Sequence, residues 1–351
     1  MRMPLHKKRL QNFFAASRAD SLLLHNGDAE GYFDVNYFYF TGLALDNSLL
    51  LAKRNGASTL LCTPLNYEAA QAKAGAGVSV VKIDRKALSL ELKKLLAGCK
   101  RIGINKRSLR LSTFDVLKKA GNGKKFMDVS EELGENRAVK DAEELAILKR
   151  CVAKTRALLD SVGAEIRPGM REEEILKRLR AGALELGAEL SFPPIILSGP
   201  KARVPHGITG GRRVGANEAV LMDFGLKMNG YCSDLTRCYF TGPCKEERAV
   251  YGKLQHVQHE LADYGRAGTR ISEFVKKSDA LMKLAGLPKL PHAMGHGIGL
   301  YVHEQPSLHA DSKKKLKAGM TLALEPSYYG KKFGLRYEND FVVGKRKLEI
   351  L

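Results

Sequence analysis

The stretch Glu218-Ala-Val-Leu-Met-Asp-Phe-Gly-Leu-Lys-Met-Asn-Gly-Tyr-Cys-Ser-Asp-Leu-Thr-Arg-Cys-Tyr-Phe-Thr241 decides how the rest of the chain reads. Apolar, β-branched and aromatic residues flank Asn229-Gly230, a dipeptide that accepts the positive φ values of a type I′ turn, so the stretch reads as a β-hairpin. With Asn229 and Gly230 as the loop, Gly225 faces Asp234, and Asp223 lies two residues along on the same face of the ribbon. Such diagonal neighbours are about 7–8 Å apart at Cα, close enough for two carboxylates to share a cation and mutually repulsive without one. A surface ribbon with solvated aspartates is the plainer reading. Against it, Asp223 ends the run Ala219-Val-Leu-Met222, apolar enough for burial on both faces, and a buried carboxylate needs a partner or a metal.

Further ligands lie downstream. Met320-Thr-Leu-Ala-Leu-Glu325 repeats the apolar strand that ends in an acid, and Gly334-Leu-Arg-Tyr-Glu338-Asn-Asp340 repeats the returning strand. Between the two hairpins, Pro291-His292-Ala-Met-Gly-His296-Gly-Ile-Gly-Leu-Tyr-Val-His303-Glu304 sets three histidines among glycines that permit close backbone approach. A lone histidine in a strand is commonly a satisfied core residue; three of them beside four placed acids point to a site.

Together these residues resemble the pita-bread metallopeptidases, the family of methionine aminopeptidase, aminopeptidase P and prolidase, over roughly Arg137 to Leu351. The resemblance implies that Asp223, Asp234, His296, Glu325 and Glu338 bind two divalent ions, with Asp234 and Glu338 bridging, Asp223 on one ion, and His296 with Glu325 on the other. All five are present without substitution. Four carboxylates and one imidazole form a hard, oxygen-rich set unlike the thiolate sites of structural zinc; Mn²⁺ or Co²⁺ suits it best, with Zn²⁺ or Fe²⁺ as alternatives. A pair of such ions about 3.5–4 Å apart lowers the pKa of a water and polarises a carbonyl, so the reaction class is hydrolysis.

The same resemblance assigns further roles. His206, seventeen residues before Asp223, stabilises the reacting carbonyl; His303, seven after His296, contacts substrate and exchanges a proton; Glu325 doubles as proton shuttle; and Arg336 orients the metal carboxylates. The bland alternatives are a loop histidine, a turn cap and a surface cation. His292, four before His296, resembles the Xaa-Pro branch, prolidase and aminopeptidase P, more than methionine aminopeptidase. Proline at the second position removes the amide N–H that most peptidases use, which implies a dedicated ring pocket. Phe192-Pro-Pro194 either walls it or packs in the core.

Length and composition set the frame. With 351 residues and 44% hydrophobic content, the chain has material for one or two domains with substantial cores. Its apolar runs are too short for a membrane span, and 1–20 has no secretory apolar region, which points to a cytoplasmic protein. Six cysteines without a Cys-x-x-Cys pair read as reduced, buried thiols. The net charge of +20 raises nucleic acid as a partner, but the basic clusters, such as His6-Lys-Lys-Arg9, Lys124-Lys125 and Lys313-Lys-Lys315, are short and scattered, and a solvated basic surface is expected.

Residues 5–18 read as an amphipathic helix. Strands are then expected at 21–24, 47–52, 58–62, 78–82 and 101–104, and helices at 65–74, 87–97 and 108–120. This α/β domain, 1–133, resembles the creatinase/prolidase N-terminal type, as does Asn36-Tyr-Phe-Tyr-Phe-Thr-Gly42. A turn is expected over Leu133-Gly-Glu-Asn-Arg137, with Asp141 capping a long helix of a second domain, 134–351. There, Ile166-Arg-Pro-Gly-Met170 before Arg171-Glu-Glu-Glu-Ile175 echoes Gly265-Arg-Ala-Gly-Thr269 before Arg270-Ile-Ser-Glu-Phe274. Each marks a helix–turn–helix step that precedes an acid-bearing hairpin, the sign of a diverged duplication and an internal pseudo-two-fold repeat in an α+β pita-bread domain. The reading is an Xaa-Pro dipeptidase acting on small peptides, with homodimer assembly implied by the resemblance. An aminopeptidase P acting on longer peptides is the alternative; a creatinase-like C–N hydrolase and a non-catalytic binding protein are opposed by the complete ligand set.

Overall fold

The computed structural model describes residues 7–27, 34–75, 77–84 and 88–351. Two compact units divide between Arg137 and Ala138. In the first, α1 (Lys7–Ala16), β1 (Ser21–Asn26), α2 (Val35–Thr41), β2 (Ser48–Lys53), β3 (Ser58–Cys62), α3 (Tyr67–Lys73), β4 (Val78–Lys82), α4 (Leu88–Leu96), β5 (Arg101–Ile104), α5 (Leu111–Ala120), β6 (Lys125–Asp128) and α6 (Ser130–Ala138) follow one another. The strands form one sheet in the order β4-β3-β2-β1-β5-β6. Only the β1–β2 and β2–β3 pairs are antiparallel. Leu23, Leu49, Leu51, Leu61, Ile102 and Ile104, alternate residues of their strands, pack with Leu92 and Leu96 of α4 and Leu117 of α5.

The structure adds to the local sequence reading and in places changes it. Asn36-Tyr-Phe-Tyr-Phe-Thr-Gly42, to which no element is assigned from the sequence, lies in a helix, because Asp34 caps it from Tyr37 N–H and Gly42, at φ 68°, closes it on Phe38 C=O. Residues 133–137, read as a turn, lie inside α6, whose Arg137 donates to Asn36 Oδ1 and whose Asn136 C=O accepts from Tyr39 Oη. Strand β6 has no counterpart in the sequence reading. The starts of the helices expected at 5–18 and 87–97 fall on residues outside the described set; the helices run 7–16 and 88–96.

In the second unit, α7 (Ala142–Ala164) opens with a capping box in which Asp141 and Glu144 bond each other's backbone N–H. There follow α8 (Glu172–Glu185), β7 (Glu189–Leu190), β8 (Ile195–Ser198), β9 (Ala219–Phe224), β10 (Leu226–Met228), β11 (Tyr231–Cys232) and β12 (Leu235–Phe240). The second half supplies α9 (Lys245–Tyr264), α10 (Ile271–Leu284), β13 (Gly295–Gly297), β14 (Glu304–Ser307), β15 (Thr321–Leu324), β16 (Ser327–Tyr329), β17 (Gly334–Arg336), β18 (Asn339–Val343) and β19 (Leu348–Ile350). Two antiparallel sheets carry the same plan, β12-β9-β8 in one half and β18-β15-β13 within a five-stranded sheet in the other. Each follows a helix pair, α7–α8 and α9–α10, so the repeat read from the two helix–turn–helix steps is present in the architecture. Apolar residues of both halves, among them Leu221, Leu254, Phe274, Leu322 and Phe341, form one core.

Candidate metal centre

The first hairpin keeps the register that Asn229-Gly230 implies. Lys227 pairs with Cys232 and Met228 with Tyr231; beyond the bend, Phe224 pairs with Leu235 and Asp223 with Thr236. Asn229 and Gly230 both have positive φ, 50° and 84°. Gly225 falls opposite Asp234, and a Cβ there would lie 2.0 Å from Ser233 C=O, so only glycine lets the strands approach at the bend. In the second hairpin, Leu324 pairs with Asn339 and Ser327 with Arg336, which sets Glu325 opposite Glu338. The hairpins meet where Glu338 N–H donates to Thr236 C=O at 3.2 Å.

A cavity of roughly 690 Å³ opens at this junction, and all nine residues singled out from the sequence line it, with Phe192, Pro193 and Pro194 on its wall. Ligand atoms of Asp234, His296 and Glu338 lie within 4.8 Å of one another. His296 Nε2 is 3.6 Å from Asp234 Oδ2, and the His296 and His303 rings are 4.1 Å apart. His296 comes from β13, which pairs with β15 just before Glu325. His292 lies 3.9 Å from Glu325 and 3.2 Å from Tyr329 Oη.

Arg336 organises the acids. Its guanidinium donates to Asp223 Oδ2 at 2.5 Å and to Thr236 Oγ1 at 3.0 Å, and lies 3.7 Å from Glu325 and 4.0 Å from Glu338. Thr236 in turn donates to Glu338 Oε2 at 2.6 Å, and Asp234 N–H donates to Asp340 Oδ2 at 2.9 Å. Thr236, Tyr329 and Asp340 were missed in the sequence. Period-two spacing would have flagged two of them, since Thr236 is two residues after Asp234 and Asp340 two after Glu338.

The electrostatics are those of a site short of positive charge. Burial, then mutual repulsion, raises Asp234 and Glu325 well above the carboxylate range; burial and Asp223 push Glu338 up to about 7. Burial raises Asp223 too, against the pull of Arg336. Burial and neighbouring His303 lower His296 to about 4, and burial lowers His292 and His303. Arg336, even with the weaker pull of Arg237 on Glu338, cannot balance three buried carboxylates and the half-buried Glu325, and Asp223 Oδ1 is buried with no hydrogen-bond partner among the described residues. A neutral imidazole and an orphaned carboxylate oxygen are what divalent cations would take up, so these residues fit a metal site.

The model of metallopeptidase family M24 matches residues 146–345, and that of the creatinase/prolidase N-terminal domain matches 7–139. A Staphylococcus epidermidis protein described as an uncharacterized peptidase is 28% identical over 90% of this chain and 92% of its own length. Among solved structures, the Xaa-Pro dipeptidase from Bacillus anthracis is similar at a TM-score of 0.89 and 25% identity, covering 98% of this chain and 96% of that one. The X-Pro aminopeptidase from Thermotoga maritima is similar at 0.85 and 26%, covering 99% and 97%. With the family's fold in both units and an acid-rich cavity where its two hairpins meet, this chain belongs to metallopeptidase family M24, with a creatinase/prolidase N-terminal domain, and is a peptidase of the prolidase and aminopeptidase P branch.

Proposed function

We propose that the protein hydrolyses Xaa-Pro bonds with two divalent ions, Mn²⁺ or Co²⁺, and acts as an Xaa-Pro dipeptidase. The observation that carries this reading is the convergence of Asp223, Asp234, His296, Glu325 and Glu338 on one cavity, together with the likeness to an Xaa-Pro dipeptidase over nearly the whole chain. Asp223, Asp234, His296, Glu325 and Glu338 would hold the ions. Bound there, the ions supply Lewis acidity and lower the pKa of the nucleophilic water.

The chain's own residues do the rest. Arg336 fixes the carboxylates through Asp223 and through the relay Arg336–Thr236–Glu338. Glu325, at the cavity wall, accepts the proton of the attacking water at a carboxylate oxygen and passes it to the leaving proline nitrogen. His206 donates to the scissile carbonyl oxygen, and His303 contacts substrate beside His296. Phe192, Pro193 and Pro194 offer an apolar wall for the proline ring.

Aminopeptidase P activity on longer peptides is the second reading, favoured by the likeness to an X-Pro aminopeptidase. We place the protein in the cytoplasm, where its six free, buried thiols stay reduced, and assign it a homodimeric state on the family likeness. Elemental analysis of the purified protein tests the dinuclear reading. Two equivalents of divalent metal, with hydrolysis lost on chelation, are expected; one equivalent, or turnover that survives exhaustive chelation, contradicts it.

A further inference from the structure

The two halves of the second unit share a backbone scaffold at the start of their second helices. In the first, Gly169 N–H bonds Val214 C=O, Val214 N–H bonds Met170 C=O, and Glu172 N–H bonds Arg212 C=O. In the second, Gly268 N–H bonds Leu316 C=O, Leu316 N–H bonds Thr269 C=O, and Ile271 N–H bonds Lys314 C=O. The bridges Arg171–Arg213 and Arg270–Lys315 complete the correspondence. Glu172, first residue of α8, is therefore the counterpart of Ile271, first residue of α10. Ile271 is 1% exposed and Glu172 is 0% exposed. An apolar side chain thus serves this packing position, whereas a buried carboxylate carries a desolvation cost that hydrogen bonds must offset.

Those bonds all come from one loop. Ser198 N–H and Oγ–H each donate to Glu172 Oε1 at 2.9 Å, while Lys201 Nζ at 2.5 Å and Gly210 N–H at 3.2 Å donate to Oε2. Ser198 and Gly210 are the two ends of the segment that carries His206, Gly207, Ile208 and Thr209 to the cavity. Thr209 Oγ1, accepting from Ile196 N–H at 2.8 Å, ties the returning end to β8.

We propose that Glu172 is a positioning residue for hydrolysis: its carboxylate clamps both ends of the 198–210 loop and so sets His206 against the substrate carbonyl. This inference rests on the role given to His206 above. The hydrogen bonds and ion pair of the Glu172 carboxylate all go to this loop and none to the residues that would hold metal.

Glu172→Gln, which replaces one acceptor oxygen with an NH2 group, is expected to lower kcat/KM for Met-Pro on the order of 10- to 100-fold, the scale of a small misplacement of a reacting group, with metal content unchanged. In the His206→Ala background the same substitution is expected to change kcat/KM less than about twofold, because the group it positions is already gone. A readout independent of turnover is the His206 ring resonance of zinc-loaded, 13C-histidine-labelled protein, identified by its disappearance in His206→Ala; it should move in Glu172→Gln. Should Glu172→Gln be insoluble, Glu172→Asp, one methylene too short to reach both loop ends, is held to the same readings. Equal losses in both backgrounds, loss of metal, or an unmoved His206 resonance would overturn the proposal. If His206→Ala alone leaves kcat/KM unchanged, the carbonyl role of His206 fails, while a moved resonance in Glu172→Gln still supports the clamp.

Discussion

Arg336 faces three carboxylates yet satisfies them unequally, and that inequality shapes the site. Burial opposes its charge, but Asp223, Glu338 and Glu325 hold it protonated above even the usual arginine range. Asp223 receives the close contact; Glu325 and Glu338 sit at 3.7 and 4.0 Å, where a second source of positive charge is needed. Glu338→Gln or Asp234→Asn should therefore cost more than about 100-fold in kcat/KM, exceeding the 10- to 100-fold typical of residues behind the ligands, with lowered metal content by elemental analysis. His303→Ala, by contrast, should lower turnover while leaving metal content intact; equal loss of both would make it a ligand. Glu338 also sets a pH dependence. Its folded-state pKa of about 7 lies above its ordinary value of 4.5, so the metal-free fold binds an extra proton there. The associated stability is present below about pH 4.5 and is lost as pH rises through about 7. Thermal melts of metal-free protein should show the wild type losing ground to Glu338→Gln across that window. A constant difference between the two would show that Glu338 does not carry this pH dependence.

At the level of elements, legibility followed local chemistry. Asn229-Gly230 dictates its own turn, so the register bringing Asp223 and Asp234 to one face was readable, and Asp141 announced the start of α7. Helix α2 was not readable from its Tyr and Phe content, because Asp34 and Gly42 at its ends outweigh the strand propensity between them. Residues 133–137 contain Gly134 and polar residues typical of turns, but contacts made by Asn136 and Arg137 hold them helical. Thr236, Tyr329 and Asp340 act through partners brought near only by folding, which no local pattern encodes. The bend at Gly225 gives the sharpest test of the hairpin. Gly225→Ala forces a methyl group into Ser233 C=O, so strand β9 and β12 must part locally. We expect destabilisation of about 2 kcal/mol or more with loss of metal binding, read by denaturant unfolding and elemental analysis; a native melt with full metal content would show that the approach of the strands is not needed.

On the scale of the whole molecule, duplication explains why the site sits where it does. Each half brings a helix pair and three antiparallel strands, and the facing hairpins pool four acids that neither half could hold alone. The halves have diverged where they hold their cavity loops: Glu172 clamps the His206 loop, whereas the buried pair Lys140–Glu304, at 2.9 Å, anchors the chain beside His303. That difference was invisible in the sequence, where the few identities marked the helix turns and not the loops. Among the described residues no helix is long and apolar enough to cross a membrane. Metal-dependent selectivity for proline follows from the proposed function, and hydrolysis of Met-Pro and Met-Ala by the metal-stripped protein, titrated with Mn²⁺, tests it. Each buried methylene of the proline ring is worth about 0.8 kcal/mol, so a shaped pocket should favour Met-Pro on the order of 10²-fold or more. No hydrolysis without metal, activity rising to two equivalents, and that preference for Met-Pro are expected; hydrolysis without metal, or a preference for Met-Ala, would contradict the proposed function.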